Sequence, residues 1–194
     1  MKTIILILVM ILLPVQGYAL EFDIWRTGAT KKKVMAKAKR NKIELKLETK
    51  VLRGSGVASN EIHYNDFIFQ EAAQVSLVFT KKTNVLYGIM IDWRDIATTE
   101  RGDELYKKIG NTLGKKYIHD GEVQGKGTIT KKNERFNDCK TTTTKYKGGI
   151  SLTLFRCQEK RFVSVKYIDS KLEKQNAFEE KNMGRKRDAD SGKF

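Results

Sequence analysis

Apolar and polar residues alternate along much of the chain between residues 60 and 168, which is the pattern of β-strands with one buried face. The clearest alternation runs over nine residues, with apolar side chains at Val85, Tyr87, Ile89, Ile91 and Trp93. Shorter alternations predict one strand with Phe67 and Phe69 on a common face and another with Val75, Leu77 and Phe79. The polar segment 81–84 predicts a hairpin loop before the longest run, and further strands are predicted at 43–47, 125–131 and 161–168. The composition of residues 53–60 predicts a loop.

Three segments are predicted to be helical. Thr30 is a suitable N-cap for a helix whose apolar stripe would be Val34, Met35 and Ala38. Residues 100–117 predict a second helix, capped by Thr98 or Thr99, with Leu105, Ile109 and Leu113 spaced four apart on its buried face. A third helix is predicted at 170–183. Runs of strands interrupted by a few helices predict an α+β fold with a mostly antiparallel sheet and two or three packed helices.

The two cysteines of the chain flank a predicted hairpin. The turn signal Lys147-Gly148-Gly149 lies between two segments rich in β-branched and aromatic residues, 141–146 and 150–155. A three-residue loop would pair Tyr146 with Ile150, and the same register places Cys139 directly opposite Cys157, within reach of a disulfide. A two-residue turn would put the sulfur atoms on opposite faces, and two reduced cysteines are the alternative. The register favours a disulfide.

The N-terminus has the features of a secretory signal peptide. A short basic start is followed by an apolar run of 12 residues, 4–15, and then by small residues suited to cleavage near residue 19. The apolar run is too short to span a bilayer, which takes about 20 apolar residues, although a retained anchor is the alternative. We therefore predict a signal peptide at 1–19, a single α+β domain at 20–183 without a transmembrane span, and a basic flexible tail at 184–194. The predicted location is periplasmic or secreted, where disulfides form.

Basic residues outnumber acidic ones, 38 Lys+Arg against 23 Asp+Glu, giving a net charge of +15. They are dense on the first predicted helix, where a helix N-terminus also favours anions. The candidate anion-binding residues are Thr30, Lys31, Lys32, Lys33, Lys37 and Arg40. A solvated basic face is the alternative. The expected partner is an anionic envelope component, including a membrane surface, or another protein. Nucleic acid is disfavoured, because no nucleic-acid-binding motif is present and export separates the chain from it.

The sequence offers little for catalysis. It lacks a GxSxG elbow, an HExxH helix and a phosphate-binding loop, and it has only two histidines, His63 and His119. We predict no catalytic residue, metal site or cofactor. For His119, which follows a predicted helix, a loop or a C-terminal interaction is favoured over a catalytic dyad. The alternative is a hydrolase of envelope polymers, whose concave pocket would be lined by Asp92, Asp95 and His63.

A short motif precedes the first predicted helix. Residues 28–34, Gly-Ala-Thr-Lys-Lys-Lys-Val, fit the pattern G-x-T-x-x-x-V. This segment resembles the opening of the first helix in small envelope proteins of the outer-membrane-assembly lipoprotein (SmpA/OmlA) and β-lactamase-inhibitor-like type. The resemblance implies helices packed on an antiparallel sheet and action through protein–protein contact. Together with the basic composition, it favours an exported binding module without catalytic activity.

Overall fold

The computed structural model describes residues 21–47, 60–131 and 134–191. The described segments contain three helices and ten strands. Their bounds in chain order are β1 Glu21–Phe22, β2 Trp25–Arg26, α1 Lys31–Arg40, β3 Lys46–Leu47, β4 Glu61–Ile68, β5 Glu71–Phe79, β6 Leu86–Trp93, α2 Thr99–Lys116, β7 His119–Lys131, β8 Glu134–Tyr146, β9 Ile150–Cys157, β10 Lys160–Ile168 and α3 Ser170–Ser191. The predicted α+β class is confirmed.

Eight of the described strands form one sheet in the order β3-β4-β5-β6-β10-β9-β8-β7, and all neighbouring pairs are antiparallel. The sheet consists of two four-stranded meanders, each preceded by a helix, that join where β6 pairs with β10. A helix followed by four consecutive strands therefore occurs twice in the structure. Strands β1 and β2 form a separate small hairpin.

The two helices α1 and α2 supply side chains to one common core with the sheet. Val34 and Ala38 of α1 are buried, as are Leu105, Ile109 and Leu113 of α2, as the spacing predicted. The sheet contributes a continuous set of buried apolar side chains, which includes Ile62, Tyr64, Val75, Leu77, Ile89, Ile91, Leu152, Leu154, Val163 and Val165. Burial of this set is the main source of stability of the fold.

Both predicted N-caps are confirmed. The Thr30 side chain accepts a hydrogen bond from the Lys33 N–H, and the Thr98 side chain accepts one from the Arg101 N–H at 3.2 Å. Each cap satisfies a backbone donor that the helix itself leaves free, which stabilises a helix start by about 1 kcal/mol.

The cysteine hairpin has the predicted register. Tyr146 pairs with Ile150 across a loop of three residues, 147–149, and Gly148 and Gly149 have φ values of 90° and 81°, a conformation that glycine adopts without steric cost. Cys139 and Cys157 form a disulfide, with S–S 1.98 Å. The prediction of a disulfide, and of the longer of the two turns, is confirmed.

Several expectations for individual residues were wrong. Phe67 and Phe69 do not share a buried face: Phe67 is 79% exposed, and Phe69 lies in the turn after β4 with φ 56°. The buried face of β4 carries Ile62 and Tyr64 instead. Phe67 is an odd number of residues from both, so its side chain points to the opposite face of the strand. Met35 is 40% exposed rather than part of the apolar stripe of α1.

Some element boundaries also differ from the expected ones. Only Lys46–Leu47 of the segment 43–47 is strand, and His119 begins β7 rather than lying in a loop. Helix α3 runs to Ser191, past residue 183 where its end was predicted. Most of the loop predicted at 53–60, together with the signal peptide predicted at 1–19, lies outside the described residues.

Candidate functional site

A basic cleft lies between the β1–β2 hairpin and helix α1. Its cavity has a volume of about 460 Å³, a size typical of small-ligand sites. The residues that line it are Ile24, Trp25, Arg26, Thr27, Gly28, Ala29, Lys33, Val34 and Lys37. Three of these carry positive charge and none carries negative charge. The cleft therefore offers apolar walls with cations at its rim.

Backbone hydrogen bonds to β6 fix the wall of this cleft. The Gly28 N–H donates to the Leu86 carbonyl at 2.8 Å, and the Leu86 N–H donates to the Ala29 carbonyl at 2.9 Å. Gly28 has φ 85°, so the chain reverses here in a conformation that favours glycine. The turn places Arg26 across the cleft from α1, while Trp25 is only 1% exposed and anchors the hairpin in the core.

Lys33 and Lys37 come to the cleft because they are four residues apart on α1, on the side of the helix next to buried Val34. Like charges at this spacing destabilise a helix by a few tenths of a kcal/mol. No acidic residue lies in the first turn of α1 to offset them. Arg26 is partly neutralised, since its Nε lies 3.4 Å from Glu21 Oε1. An anion bound between the lysines would relieve their repulsion.

The other predicted anion-binding residues do not line the cleft. Lys31 faces the sheet: its Nζ donates to Asn60 Oδ1 at 3.1 Å and lies 5.6 Å from the centre of the Phe79 ring. The helix N-terminus is largely satisfied within the chain, because the Lys31 N–H donates to the Asn84 carbonyl and Thr30 caps the helix. Lys32 and Arg40 are exposed at other positions of α1 and are not among the lining residues.

Arg26 is the functional candidate that sequence reasoning missed. It lies in a two-residue strand with weak periodicity, and only the β1–β2 hairpin and its anchoring by Trp25 bring it to α1. The one sequence signal near it is Gly28, whose positive φ turns the chain back towards the helix.

The residues of the predicted hydrolase site do not converge. His63 on β4 and Asp92 on β6 are separated by β5 and differ by two positions along the strands, which corresponds to about 12 Å. Asp92 Oδ2 forms an ion pair with Arg94 Nη2 at 2.8 Å. Asp95 is exposed beyond the end of β6.

His63 takes part in a different arrangement. Its Nδ1 lies 2.8 Å from the Ser76 hydroxyl on β5, and its Nε2 lies 3.7 Å from Glu61 Oε2. Acyl transfer by such a set also needs preorganised N–H donors for the oxyanion. Ser76 lies in the middle of the sheet, paired with His63 on one side and Met90 on the other, so the surrounding backbone is engaged in the ladders. The contact is explained by hydrogen bonding between two buried polar side chains on neighbouring strands, since buried polar groups need partners.

Comparison with protein-family models, with curated proteins and with solved structures finds no match to this chain. The resemblance of residues 28–34 to small envelope proteins therefore stays a prediction.

In the ranges 21–47, 60–131 and 134–191, no three or more His, Cys, Asp or Glu side chains are grouped to hold a metal ion. None of the helices in these ranges has the length and apolar character needed to cross a membrane.

Proposed function

We propose that this chain is an exported binding module of the cell envelope, without catalytic activity, that holds an anionic group in the cleft beside α1. The observation that carries the proposal is the convergence of Lys33, Lys37 and Arg26 on one cavity with apolar walls. The three cations are exposed, and they lie beside apolar lining residues. Charge interactions are less screened next to a low-dielectric wall than in bulk water, so this position strengthens their attraction for a phosphate or carboxylate group.

The expected ligand is a phosphate- or carboxylate-bearing envelope component: a polymer, a lipid headgroup at a membrane surface, or an acidic segment of another protein. The lining of the cleft contains no carboxylate, histidine, serine or cysteine. Its one hydroxyl group is that of Thr27, and the lining holds no histidine or carboxylate that would activate this hydroxyl as a nucleophile. This composition favours binding over hydrolysis.

Export is supported by the disulfide, since such bonds persist mainly in oxidising compartments outside the cytosol. The signal-peptide pattern at 1–19 gives independent support from the sequence. N-terminal sequencing of the protein from a producing cell tests this part of the proposal. We expect the mature chain to begin near Leu20, and a chain retaining Met1 would contradict cleavage.

Binding can be tested by co-sedimentation of the oxidised protein with vesicles that contain an anionic phospholipid, compared with neutral vesicles. The test variant is Lys33→Gln with Lys37→Gln, which removes two charges from the cleft. The matched control is Lys32→Gln with Lys39→Gln, which removes two charges from the same helix at exposed positions outside the cleft. We expect the test variant alone to lose most of the binding. Equal losses in the two variants would show attraction by net charge only and would contradict the proposal.

A further inference from the structure

The outer edge of β7 lies at one end of the sheet, and β7 pairs with β8 alone within the described residues. Five consecutive residues in its middle, 122–126, are exposed. A strand edge of this kind presents a row of unpaired N–H and C=O groups that can pair with another strand. The groups that face outward can be identified from the register of the sheet.

The geometry at the disulfide determines which residues of β7 direct their backbone N–H and C=O groups towards β8 and which direct them outward. The Cα atoms of Cys139 and Cys157 are 4.4 Å apart, the spacing of a pair that does not exchange hydrogen bonds, so the backbone of Cys139 is directed at Gly127 on β7. Register is continuous from Gly127 back to Gly121, and successive residues of a strand point their backbone groups to opposite sides. The outward N–H and C=O groups are therefore those of Glu122, Gln124 and Lys126.

We propose that two copies of this chain associate through the outer edges of β7, antiparallel and centred on Gln124. In this register Gln124 pairs with Gln124 of the second copy, and Glu122 pairs with Lys126 of the second copy. The two-fold symmetry makes the charge pair occur twice. All three residues present outward backbone groups, so the register also completes the hydrogen bonds of both edges.

The charge pattern of β7 selects this register. Glu122 and Lys126 lie on the same face of the sheet, since they are four residues apart on a regular stretch of strand. Lys126 lies directly opposite Lys140 of β8, a like-charge pair that destabilises the hairpin. The carboxylate of Glu122 from a second copy would offset this repulsion. In a dimer whose strands were centred on Gly125 instead, Glu122 would lie opposite Thr128 of the second copy, and both charge pairs would be lost.

The overall charge of the chain does not prevent this association. The net charge of +15 opposes contact between two copies. Exposed charges farther apart than about 8 Å are nevertheless largely screened at physiological ionic strength. The Glu122 and Lys126 side chains would be in direct contact across the edge, so their attraction is screened less than the repulsion between distant lysines.

Sedimentation equilibrium of the purified, oxidised chain tests the proposal. We expect a dimer that dissociates on dilution. Glu122→Lys and Lys126→Glu should each raise the dimer Kd about tenfold or more, because two attractive pairs become repulsive. A mixture of these two variants should form a heterodimer, and the double reversal in one chain should restore the homodimer. Lys107→Glu, an equal charge change at an exposed position of α2, should leave the Kd unchanged.

The backbone contribution can be tested separately with Gln124→Pro. This change removes an outward N–H without removing a backbone hydrogen bond between β7 and β8, and proline is tolerated at such edge positions. It also removes the side-chain bond that Gln124 accepts from the Thr142 hydroxyl at 2.9 Å, so Gln124→Ala, which loses only the side chain, is the matched control. We expect Gln124→Pro to lose the dimer and Gln124→Ala to keep it, with similar thermal unfolding midpoints for the two monomers. A wild type that is monomeric at every concentration would overturn the proposal. So would a dimer that survives both the proline substitution and the charge reversals.

Discussion

Cys139 on β8 lies directly opposite Cys157 on β9, and the two residues form a disulfide with their Cα atoms 4.4 Å apart. They are the next residue pair along the strands after Lys140 and Arg156. Around the bond is a small second core, in which Phe162 is buried and Ile129, Phe136 and Phe155 are partly buried. The disulfide therefore fixes the end of the sheet that the main core does not reach. It also fixes the register from which the outward groups of β7 follow.

Replacing both cysteines by serine should lower the free energy of unfolding by about 3 kcal/mol, because the bond closes a loop with a sequence separation of 18. Denaturant unfolding of the oxidised wild type, the reduced wild type and the double variant measures this loss. We expect the reduced wild type and the double variant to be similarly destabilised. No difference between oxidised and reduced protein would contradict a structural role for the bond.

Two glycines of α2 should respond in opposite ways to alanine. A Cβ at Gly102 would collide with Arg161 on β10, whereas a Cβ at Gly114 would meet nothing within 4 Å. Gly102→Ala should cost about 1–3 kcal/mol through overpacking. Gly114→Ala should stabilise the protein by about 0.5–1 kcal/mol through helix propensity. Denaturant unfolding of the two variants measures the contrast. Equal changes in the free energy of unfolding would contradict the close packing of Arg161 against Gly102.

Glu179 holds α3 against the loop between β5 and β6. Its carboxylate accepts hydrogen bonds from the Lys82 N–H at 2.6 Å and from the N–H and hydroxyl of Thr83 at 3.2 and 2.8 Å. Burial by itself would raise the pKa of this carboxyl, but these bonds and one from Gln175 outweigh it and lower the pKa. The carboxylate is thus stabilising above its unfolded-state pKa of about 4.3, and this contribution is lost as the pH falls through the lowered folded-state value.

Glu179→Gln should therefore cost about 1–3 kcal/mol near neutral pH, because backbone donors lose their charged acceptor. The difference from the wild type should shrink as the pH is lowered from 6 to 3, since the wild-type carboxyl then becomes protonated. Denaturant unfolding across this pH range measures the change. The neighbouring variant Glu180→Gln is the control, and a cost at Glu179 that does not depend on pH would contradict the role of its charge.

Trp25 is tied to the sheet through Tyr64, whose hydroxyl accepts a hydrogen bond from the indole N–H at 2.6 Å. Burial raises the pKa of Tyr64 to about 12, against a smaller lowering by this bond. Tyr64→Phe should cost about 1–3 kcal/mol, because the buried indole N–H loses its acceptor. Wild-type stability should also fall between about pH 10 and 12, where tyrosine ionises in the unfolded chain but not in the fold. Alkaline unfolding curves that are the same for the two proteins would contradict this.

Local signals were sufficient for much of the fold. The caps at Thr30 and Thr98, the spacing of Leu105, Ile109 and Leu113, and the register of the cysteine hairpin all depend on residues close together in sequence. The pairing of β6 with β10 could not be predicted in this way, because it joins residues 88–93 to residues 163–168 and depends on the packing of both meanders. Phe67 misled the assignment of the buried face, since aromatic residues on a strand are usually half-buried.

The candidate site was only partly visible in the sequence. Lys33 and Lys37 were identified from the charge of the first helix, but nothing local separates them from Lys32 or Arg40, which lie outside the cleft. Val34 and Ala38 are buried in the core, and this fixes the orientation of α1 about its own axis. That orientation determines which lysines of the helix face the cleft. Arg26 joins them through the tertiary position of a two-residue strand, for which periodicity carries almost no information.

The most direct test of the account is a titration of the ¹⁵N-labelled, oxidised protein with pyrophosphate, followed by amide chemical shifts. If the cleft binds anions, the largest saturable shifts will fall on residues 24–29 and on Lys33 and Lys37, and they will vanish in the Lys33→Gln, Lys37→Gln variant. Small, non-saturating shifts spread evenly over the lysines of the surface would contradict a specific anion site in this cleft.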